Sequence, residues 1–221
     1  MPRPAISHLL FDLDETLYPR GTGVMRCIGQ RIGRYIEEYL GYSAQESQQL
    51  RRQYFEMYGT TMRGLVLHHD LDADHFLQFV HDVPLDSLAE NPELDRMIAC
   101  LPGEKVIFTN ADKAHAERVL IHLGMRDRFT RIIDVVAVNY VSKPAPEAYT
   151  ACLDILNANP ARCVLIEDRP RNLVPATELG MATVLVDGDP GAVADYHIAD
   201  ILDLGPVIAD LREKRDWQET L

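Results

Sequence analysis

A run of apolar residues ends in two aspartates within the segment Ile6-Ser7-His8-Leu9-Leu10-Phe11-Asp12-Leu13-Asp14-Glu15-Thr16-Leu17-Tyr18. The unbroken apolar run 9–11 is typical of a strand that is buried on both faces of a parallel sheet. Because side chains alternate along an extended chain, Asp12 and Asp14 are expected on the same side. Two carboxylates so close repel each other, which favours a bound divalent cation. The alternative is that both are ordinary turn residues.

A second apolar run, 106–108, is followed by Thr109 and Asn110 and then by a helical pattern. A hydroxyl and an amide beside the first turn of a helix suit an anion such as phosphate. In isolation, helix capping by these side chains explains the pattern equally well.

Two later segments add a lysine and two acids. Lys143 lies in a loop before a helix that is expected to begin at Pro146, and it could neutralise carboxylate and phosphate charge. A solvated lysine is the alternative. The apolar run 164–166 ends in Glu167 and Asp168. Because ligands bind at the carboxyl ends of the strands in open α/β sheets, the four segments together predict one phosphate and cation site.

The spacing of the apolar runs predicts an α/β fold. The strand candidates are residues 6–12, 105–109, 131–136, 162–167 and 182–186. Helical patterns separate the later candidates, which indicates a doubly wound parallel sheet. The gap after the first candidate is too long for one crossover helix and predicts an inserted α-helical cap. We therefore expect a core of residues 1–18 and 96–221 and a cap of residues 19–95.

Composition limits the classes of function. The chain of 221 residues is 47% hydrophobic, has a formal net charge of -12 and a pI near 5.0. That charge argues against binding to a nucleic-acid polymer or an anionic membrane. The four cysteines show no CxxC spacing, and nothing in residues 1–4 or beyond resembles a signal peptide or a membrane span. We expect a cytoplasmic protein.

The order of the four segments resembles the haloacid-dehalogenase-like (HAD) phosphohydrolase superfamily. Its first motif, Asp-x-Asp-x-Thr, is similar to residues 12–16, and its second, third and fourth motifs are similar to Thr109, Lys143 and Glu167-Asp168. The resemblance implies a Rossmann-like core in which the helical insert after the first motif covers the site.

The resemblance also implies a mechanism. Asp12 would attack phosphorus and form an aspartyl-phosphate. Asp14 would protonate the leaving alcohol and then deprotonate the water that hydrolyses the intermediate. The groups expected to hold the phosphate oxygens are Thr109, Asn110 and Lys143.

The implied cofactor is Mg²⁺. Its expected ligands are the Asp12 carboxylate, the Asp14 backbone carbonyl and Asp168, with Glu167 binding directly or through water. Related proteins often place a serine after the acidic pair, whereas this chain has Arg169. Its side chain could point at the substrate, at Glu167 or at solvent.

A closer resemblance, to the pyrimidine 5′-nucleotidase branch, concerns the substrate. It rests on residues 14–18, 109–112, 143–144, Pro146, Tyr149, 167–168 and 172–173. It implies a nucleoside 5′-monophosphate such as UMP or CMP, and within the cap segment 58–64 it makes Arg63 a candidate substrate-binding residue. An interhelical turn with a solvated Arg63 is the alternative.

Other functions of the same fold stay open. A general small-molecule phosphatase, acting for example on phosphoglycolate or a sugar phosphate, or a phosphomutase would use the same core. A dehalogenase needs only the first aspartate, so Asp14 argues against one. A non-catalytic binding protein would be expected to have lost a motif residue, and all of them are present.

Overall fold

A computed structural model describes residues 6–189 and 191–217, with side chains as far as residue 214. Residues 1–4, which enter the expectation that the chain has no signal peptide, lie outside this part. No helix in the described ranges combines the length and apolar character needed to cross a membrane.

The core is a six-stranded sheet in which every pair of neighbouring strands is parallel. Its strands are β1 (His8–Phe11), β2 (Glu104–Phe108), β3 (Arg131–Ile133), β4 (Cys163–Glu167), β5 (Ala182–Val186) and β6 (Tyr196–Ile198), in the order β3-β2-β1-β4-β5-β6. The predicted α/β fold is confirmed. Two details differ, because β6 was not anticipated and β3 ends before the predicted residue 136.

Apolar clusters cover both faces of the sheet, as the alternation of side chains requires. Leu9 and Phe11 belong to one cluster, whereas Leu10 belongs to the other with Tyr149. The core helices are α5 (Pro92–Cys100), α6 (Lys113–His122), α7 (Pro146–Leu156), α8 (Pro170–Glu178) and α9 (Leu204–Trp217). β1 lies between β2 and β4, so the residue after it is near the centre of the sheet edge.

Four helices form the insert between β1 and α5, namely α1 (Val24–Leu40), α2 (Ala44–Tyr58), α3 (Thr61–His68) and α4 (Ala73–His81). They share a third apolar cluster that includes Tyr35, Tyr54 and Phe76. The Ser43–Glu46 capping box begins α2, because the Ser43 side chain accepts the Glu46 N–H and the Glu46 carboxylate accepts the Ser43 N–H. The insert is thus a helical unit with its own core.

The sequence predicts the boundary between cap and core at residues 95 and 96. That boundary falls inside α5, and Leu94 and Ile98 of this helix both pack in the sheet cluster that contains Phe11. A helix whose apolar face packs against the sheet belongs to the core. We propose that the cap ends before Pro92.

Close packing of α2 against α3 generates a stability prediction. A Cβ atom at Gly64 would lie 2.1 Å from Cγ of Tyr54, so Gly64→Ala must push the two helices apart. Overpacking of this kind costs about 1–3 kcal/mol. We expect urea unfolding to show that loss, whereas Gly205→Ala, whose nearest neighbour would be Met97 Cγ at 3.9 Å, should change little. Equal unfolding midpoints for the two variants would contradict this packing.

Candidate active site

Three neighbouring strands bring the predicted acids to one edge of the sheet. Asp12 follows β1, while Glu167 ends β4 and Asp168 comes directly after it. Carboxylate oxygens of these three buried residues lie within 4.8 Å of one another. The expectation that strand ends assemble an acidic cluster therefore agrees with their positions.

Lys143 is the buried cation of this cluster. Its side chain is 1% exposed, and Nζ donates hydrogen bonds to Asp12 Oδ1 at 2.8 Å and Glu167 Oε2 at 2.8 Å. A third bond, of 2.7 Å, goes to the Phe108 carbonyl. Burial alone would lower the pKa of Lys143, but the two carboxylates outweigh it and hold the pKa above its ordinary value. The ammonium is therefore charged at neutral pH.

The Asp12 carboxylate accepts hydrogen bonds from two residues, Lys143 and Thr16. Its Oδ1 accepts from Lys143 and its Oδ2 accepts from the Thr16 hydroxyl at 3.1 Å. Burial and then the charge of Glu167 raise the pKa of Asp12 to about 6, although Lys143 acts in the opposite sense. The two hydrogen bonds hold the Asp12 carboxylate in one orientation.

Glu167 and Asp168 differ in what their oxygens contact. Glu167 uses Oε2 to accept from Lys143 and Oε1 to accept the Arg169 N–H at 3.1 Å. Asp168 Oδ2 accepts from Arg20 at 2.9 Å, but its buried Oδ1 has no hydrogen-bond partner within the described residues. Asp168 Oδ1 therefore has no hydrogen bond to lose when a cation binds, and Arg169 Nε lies 3.9 Å from it.

The donor set fits a hard cation. Burial and then the charge of Asp12 raise the pKa of Asp168, although Glu167, Arg169 and Arg20 act in the opposite sense. Mg²⁺ prefers oxygen ligands and is commonly bound through one or two carboxylates. Asp12 and Asp168 supply these at the edge of a buried cluster.

The second aspartate has different surroundings. Asp14 Oδ1 accepts from the Tyr18 hydroxyl at 2.6 Å and pairs with His115 Nε2 at 2.9 Å. Burial tends to raise the pKa of Asp14, but His115 and then Tyr18 lower it below its ordinary value. Asp14 also raises the pKa of His115 despite burial, because the adjacent carboxylate favours the charged imidazolium.

A second histidine supports His115. The His81 ring, from α4 of the cap, stacks on the His115 ring with 4.5 Å between centroids. His81 pairs through Nδ1 with Oδ2 of Asp112. The other oxygen of Asp112, Oδ1, accepts the backbone N–H of His115 at 2.8 Å. This group of residues was not anticipated from the sequence, and Asp112 is at the same time the N-cap residue of α6.

Thr109 and Asn110 follow β2 and line the same cavity as Asp12. The Thr109 hydroxyl accepts the Ala111 N–H at 3.1 Å, which leaves its own proton free to donate. The Asn110 side chain accepts the Lys143 N–H at 2.7 Å and donates to the Lys143 carbonyl at 3.0 Å. Asn110 therefore fixes the backbone that carries the Lys143 ammonium.

A cavity of about 480 Å³ lies between the core and the cap. Its core wall includes Asp12, Asp14, Thr109, Asn110, Glu167 and Arg169, and its cap wall includes Ile28, Arg51, Arg52, Phe55, Met62 and Phe76. Arg63 is not among the described residues that line it, and its backbone N–H donates to the Thr60 hydroxyl at 3.1 Å. The structure thus brings Arg51 and Arg52 to the cavity but not Arg63.

Arg169 also contributes to the wall. Its Nη2 lies 3.4 Å from Glu15 Oε2, and its guanidinium lies 5.3 Å from the centroid of the Phe55 ring. The side chain therefore runs across the join between core and cap, and its acidic neighbours are Glu15 and, with Nε 3.9 Å from Oδ1, Asp168.

The segment before α3 packs directly on the lysine loop. A Cβ atom at Gly59, which has φ of +88°, would lie 2.9 Å from the Lys143 carbonyl oxygen. The Thr60 and Ser142 hydroxyls are hydrogen-bonded at 2.8 Å. The cap is thus in contact with the loop that carries Lys143, which places its inner wall over the acidic cluster.

Comparisons with known proteins agree with this geometry. Residues 6–180 match the family model described as haloacid dehalogenase-like hydrolase. Phosphate metabolism protein 8 of Saccharomyces cerevisiae is 28% identical over 200 residues, which are 83% of this chain and 62% of that protein. Fructose-1-phosphate phosphatase YqaB of Escherichia coli is 32% identical over 109 residues, covering 48% of this chain and 56% of that one. The matches thus span about three-fifths or less of these relatives' lengths.

Solved structures share the fold. A HAD phosphatase from Thermococcus onnurineus has a TM-score of 0.59 at 22% identity, over 91% of this chain and 97% of that one. L-2-haloacid dehalogenase from Xanthobacter autotrophicus has a TM-score of 0.60 at 16% identity, over 93% and 99%. At these identities the likeness concerns the fold alone.

The buried lysine generates a second stability prediction. Lys143→Met leaves the Asp12 and Glu167 carboxylates buried without their shared cation, which typically costs about 3–5 kcal/mol. Urea unfolding without added metal should show that loss, while the exposed Lys113→Met serves as a control with little effect. Adding Glu167→Gln to Lys143→Met should restore part of the stability, because one of the unpaired charges is gone. Undiminished stability of Lys143→Met would contradict the assignment of Lys143 as the compensating cation.

Proposed function

Because the chain belongs to the haloacid dehalogenase-like hydrolase family, we propose that it is an Mg²⁺-dependent phosphomonoester hydrolase that forms an aspartyl-phosphate on Asp12. One observation carries the proposal. The Asp12 carboxylate is fixed by Lys143, lies beside the Asp168 oxygen that has no hydrogen bond within the described residues, and lines the cavity. Asp14, the second acid that a phosphatase needs, lines the same cavity.

The metal would be held by the Asp12 and Asp168 carboxylates and the Asp14 backbone carbonyl. When bound, Mg²⁺ would neutralise carboxylate and phosphate charge and so favour the approach of two anions. Glu167, the third carboxylate of the cluster, would bind the metal directly or through water, and its Oε2 accepts a hydrogen bond from Lys143. Lys143 and the Thr109 hydroxyl hold the phosphate oxygens as negative charge develops on them.

Catalysis proceeds in two steps. In the first, an Asp12 oxygen bonds to phosphorus while the bond from phosphorus to the ester oxygen breaks, and the leaving alcohol takes a proton from Asp14. In the second, water bonds to phosphorus, the bond to Asp12 breaks, and Asp14 takes the proton of the water. Asp14 is paired with His115 across 2.9 Å while it supplies and receives the proton.

The substrate is a nucleoside 5′-monophosphate such as UMP or CMP. A cavity of about 480 Å³ is within the size range of sites for small organic molecules. Its cap wall carries Ile28, Phe55, Met62 and Phe76, which suit a base better than a bare sugar. The similarity to a fructose-1-phosphate phosphatase keeps a general sugar phosphatase as the second candidate.

The cytoplasm is the proposed location. None of the four cysteines, which all lie in the described ranges, forms a disulfide, and Cys152 and Cys163 are buried in the core. Free thiols without metal-binding spacing are typical of proteins from a reducing compartment.

Asp12→Asn tests the nucleophile. The substitution removes the attacking charge with little change of shape, so phosphate release from an aryl phosphate should fall by several orders of magnitude. Circular dichroism should report an intact fold. Excess chelator should abolish wild-type activity, and added Mg²⁺ should restore it. Phosphate release by Asp12→Asn above a few per cent of wild type, or full activity in chelator, would overturn the mechanism.

Initial rates on a panel of phosphate esters test the substrate class. UMP and CMP should give higher kcat/KM values than fructose 1-phosphate or phosphoglycolate, because only the nucleotides carry a planar base for the cap wall. If the enzyme releases phosphate from the aryl ester but from neither nucleotide, the nucleotidase proposal fails and a general phosphatase is left.

A further inference from the structure

Arg51 of α2 is a half-buried arginine for which the described chain provides no partner. Its Nε is buried without a hydrogen bond, and no carboxylate of the described residues lies within 4.0 Å of the guanidinium nitrogens. Burial lowers the pKa of Arg51, and the exposed Glu37 acts on it only weakly in the opposite sense. Leaving donors of a charged group unpaired costs free energy, so such a group is a place where a ligand acceptor is favoured.

The chain makes room for this guanidinium. A Cβ atom at Gly29 of α1 would lie 2.9 Å from Arg51 Nη2, and one at Gly33 would lie 3.3 Å from Nη1. The two glycines are one helical turn apart, so together they leave a shallow recess on α1. The Ser47 hydroxyl donates to the Gly33 carbonyl at 3.0 Å and holds α2 against this recess. The position of Arg51 is therefore built by both helices.

The recess opens on the cavity that contains Asp12. Arg51 lines that cavity beside apolar side chains of the cap, which include Ile28, Ile32 and Met62. Lys143 and Asp12 belong to the phosphate end of the cavity, on the core side. A phosphate ester bound there must direct its leaving group toward the cap, and Arg51 is a cation in the wall that the leaving group meets.

We propose that Arg51 recognises the leaving group by donating hydrogen bonds to an oxygen acceptor on it, either a carbonyl or a carboxylate. The inference rests on the proposed function, because it places the phosphate at Asp12. A guanidinium presents its donors in a planar fork that fits such oxygens. The preferred substrates are thus phosphate monoesters with an apolar or aromatic leaving group that bears this acceptor, and a base carbonyl of UMP is one example.

Matched substrates and variants test the proposal. Phenyl phosphate lacks the acceptor, 4-carboxyphenyl phosphate carries a carboxylate, and UMP carries carbonyls. Arg51→Met should lower kcat/KM about 10- to 100-fold, mainly through KM, for the compound that carries the acceptor recognised by Arg51. For phenyl phosphate the loss should be less than about threefold. Arg34→Met is the control, since Arg34 is an exposed cap arginine paired with Glu38. A selective loss of kcat/KM for UMP identifies the acceptor as a carbonyl, and a selective loss for 4-carboxyphenyl phosphate identifies it as a carboxylate.

A binding measurement separates this inference from the proposed function. Calorimetric titration of the same three compounds into Asp12→Asn, with and without Arg51→Met, reports recognition without turnover. An equal affinity loss for all three compounds, or none for any, would overturn the role of Arg51 even if the enzyme is a phosphatase. Selective loss for an acceptor compound would support it even if no hydrolysis occurs.

A second variant, Gly29→Ala, separates a loss of binding from a loss of folding. Gly29→Ala keeps Arg51 but pushes on its flexible guanidinium, and alanine is favoured over glycine inside a helix. The thermal midpoint should therefore hold or rise while affinity for the acceptor compound falls several-fold. Unchanged affinity in Gly29→Ala together with an unselective effect of Arg51→Met would contradict the proposed subsite.

Discussion

The buried ammonium of Lys143 compensates the charge that the rest of the site brings together. Parallel strands end side by side, so the fold places the Asp12, Glu167 and Asp168 carboxylates in one buried cluster. Nζ of Lys143 contacts Asp12 and Glu167 at 2.8 Å, and Asn110 holds the lysine backbone from both sides. Glu167 in turn accepts a hydrogen bond from the ammonium and so fixes its position. Oδ1 of Asp168, which has no hydrogen bond within the described residues, is the place where a cation is favoured.

The segment that follows β1 carries two aspartates, Asp12 and Asp14, whose pKa values shift in opposite directions. Burial and neighbouring acids raise the pKa of Asp12 to about 6, while His115 and Tyr18 outweigh burial and lower the pKa of Asp14. Two equal carboxylates would compete for the same proton and the same cation. Their different partners separate the proposed roles, with Asp12 facing Lys143 and Asp14 pairing with His115.

The sequence was sufficient for the parts of the site that lie at strand ends. An apolar run followed by Asp12, Thr109 or Glu167 predicts that the polar residue lies at the carboxyl end of a strand. In a parallel sheet these ends all lie at the same edge. The ends of the cap helices also depend on local residues, since Gly41 ends α1 in the left-handed conformation and Ser43 begins α2 with a capping box. The short β6 escaped prediction, since three residues carry too little pattern to distinguish a strand.

Contacts between distant elements could not be read in this way. His115 lies four residues before Val119 on the buried face of α6, which indicates burial but not its pairing with Asp14. Arg63 and Arg51 are both arginines in helical cap segments, and the cavity lining depends on how α2 and α3 pack. Only the assembled cap shows that Arg51 lies over Gly29 and lines the cavity.

The central claim is that Asp12 becomes covalently phosphorylated. The most direct measurement mixes the enzyme with a substrate that carries a radiolabelled phosphoryl group, quenches the reaction in acid within one turnover, and maps the label on peptides. The account predicts transient label on the peptide that contains Asp12, and none in Asp12→Asn. Complete turnover with no label on the protein at any quench time, or label on another residue, would contradict it.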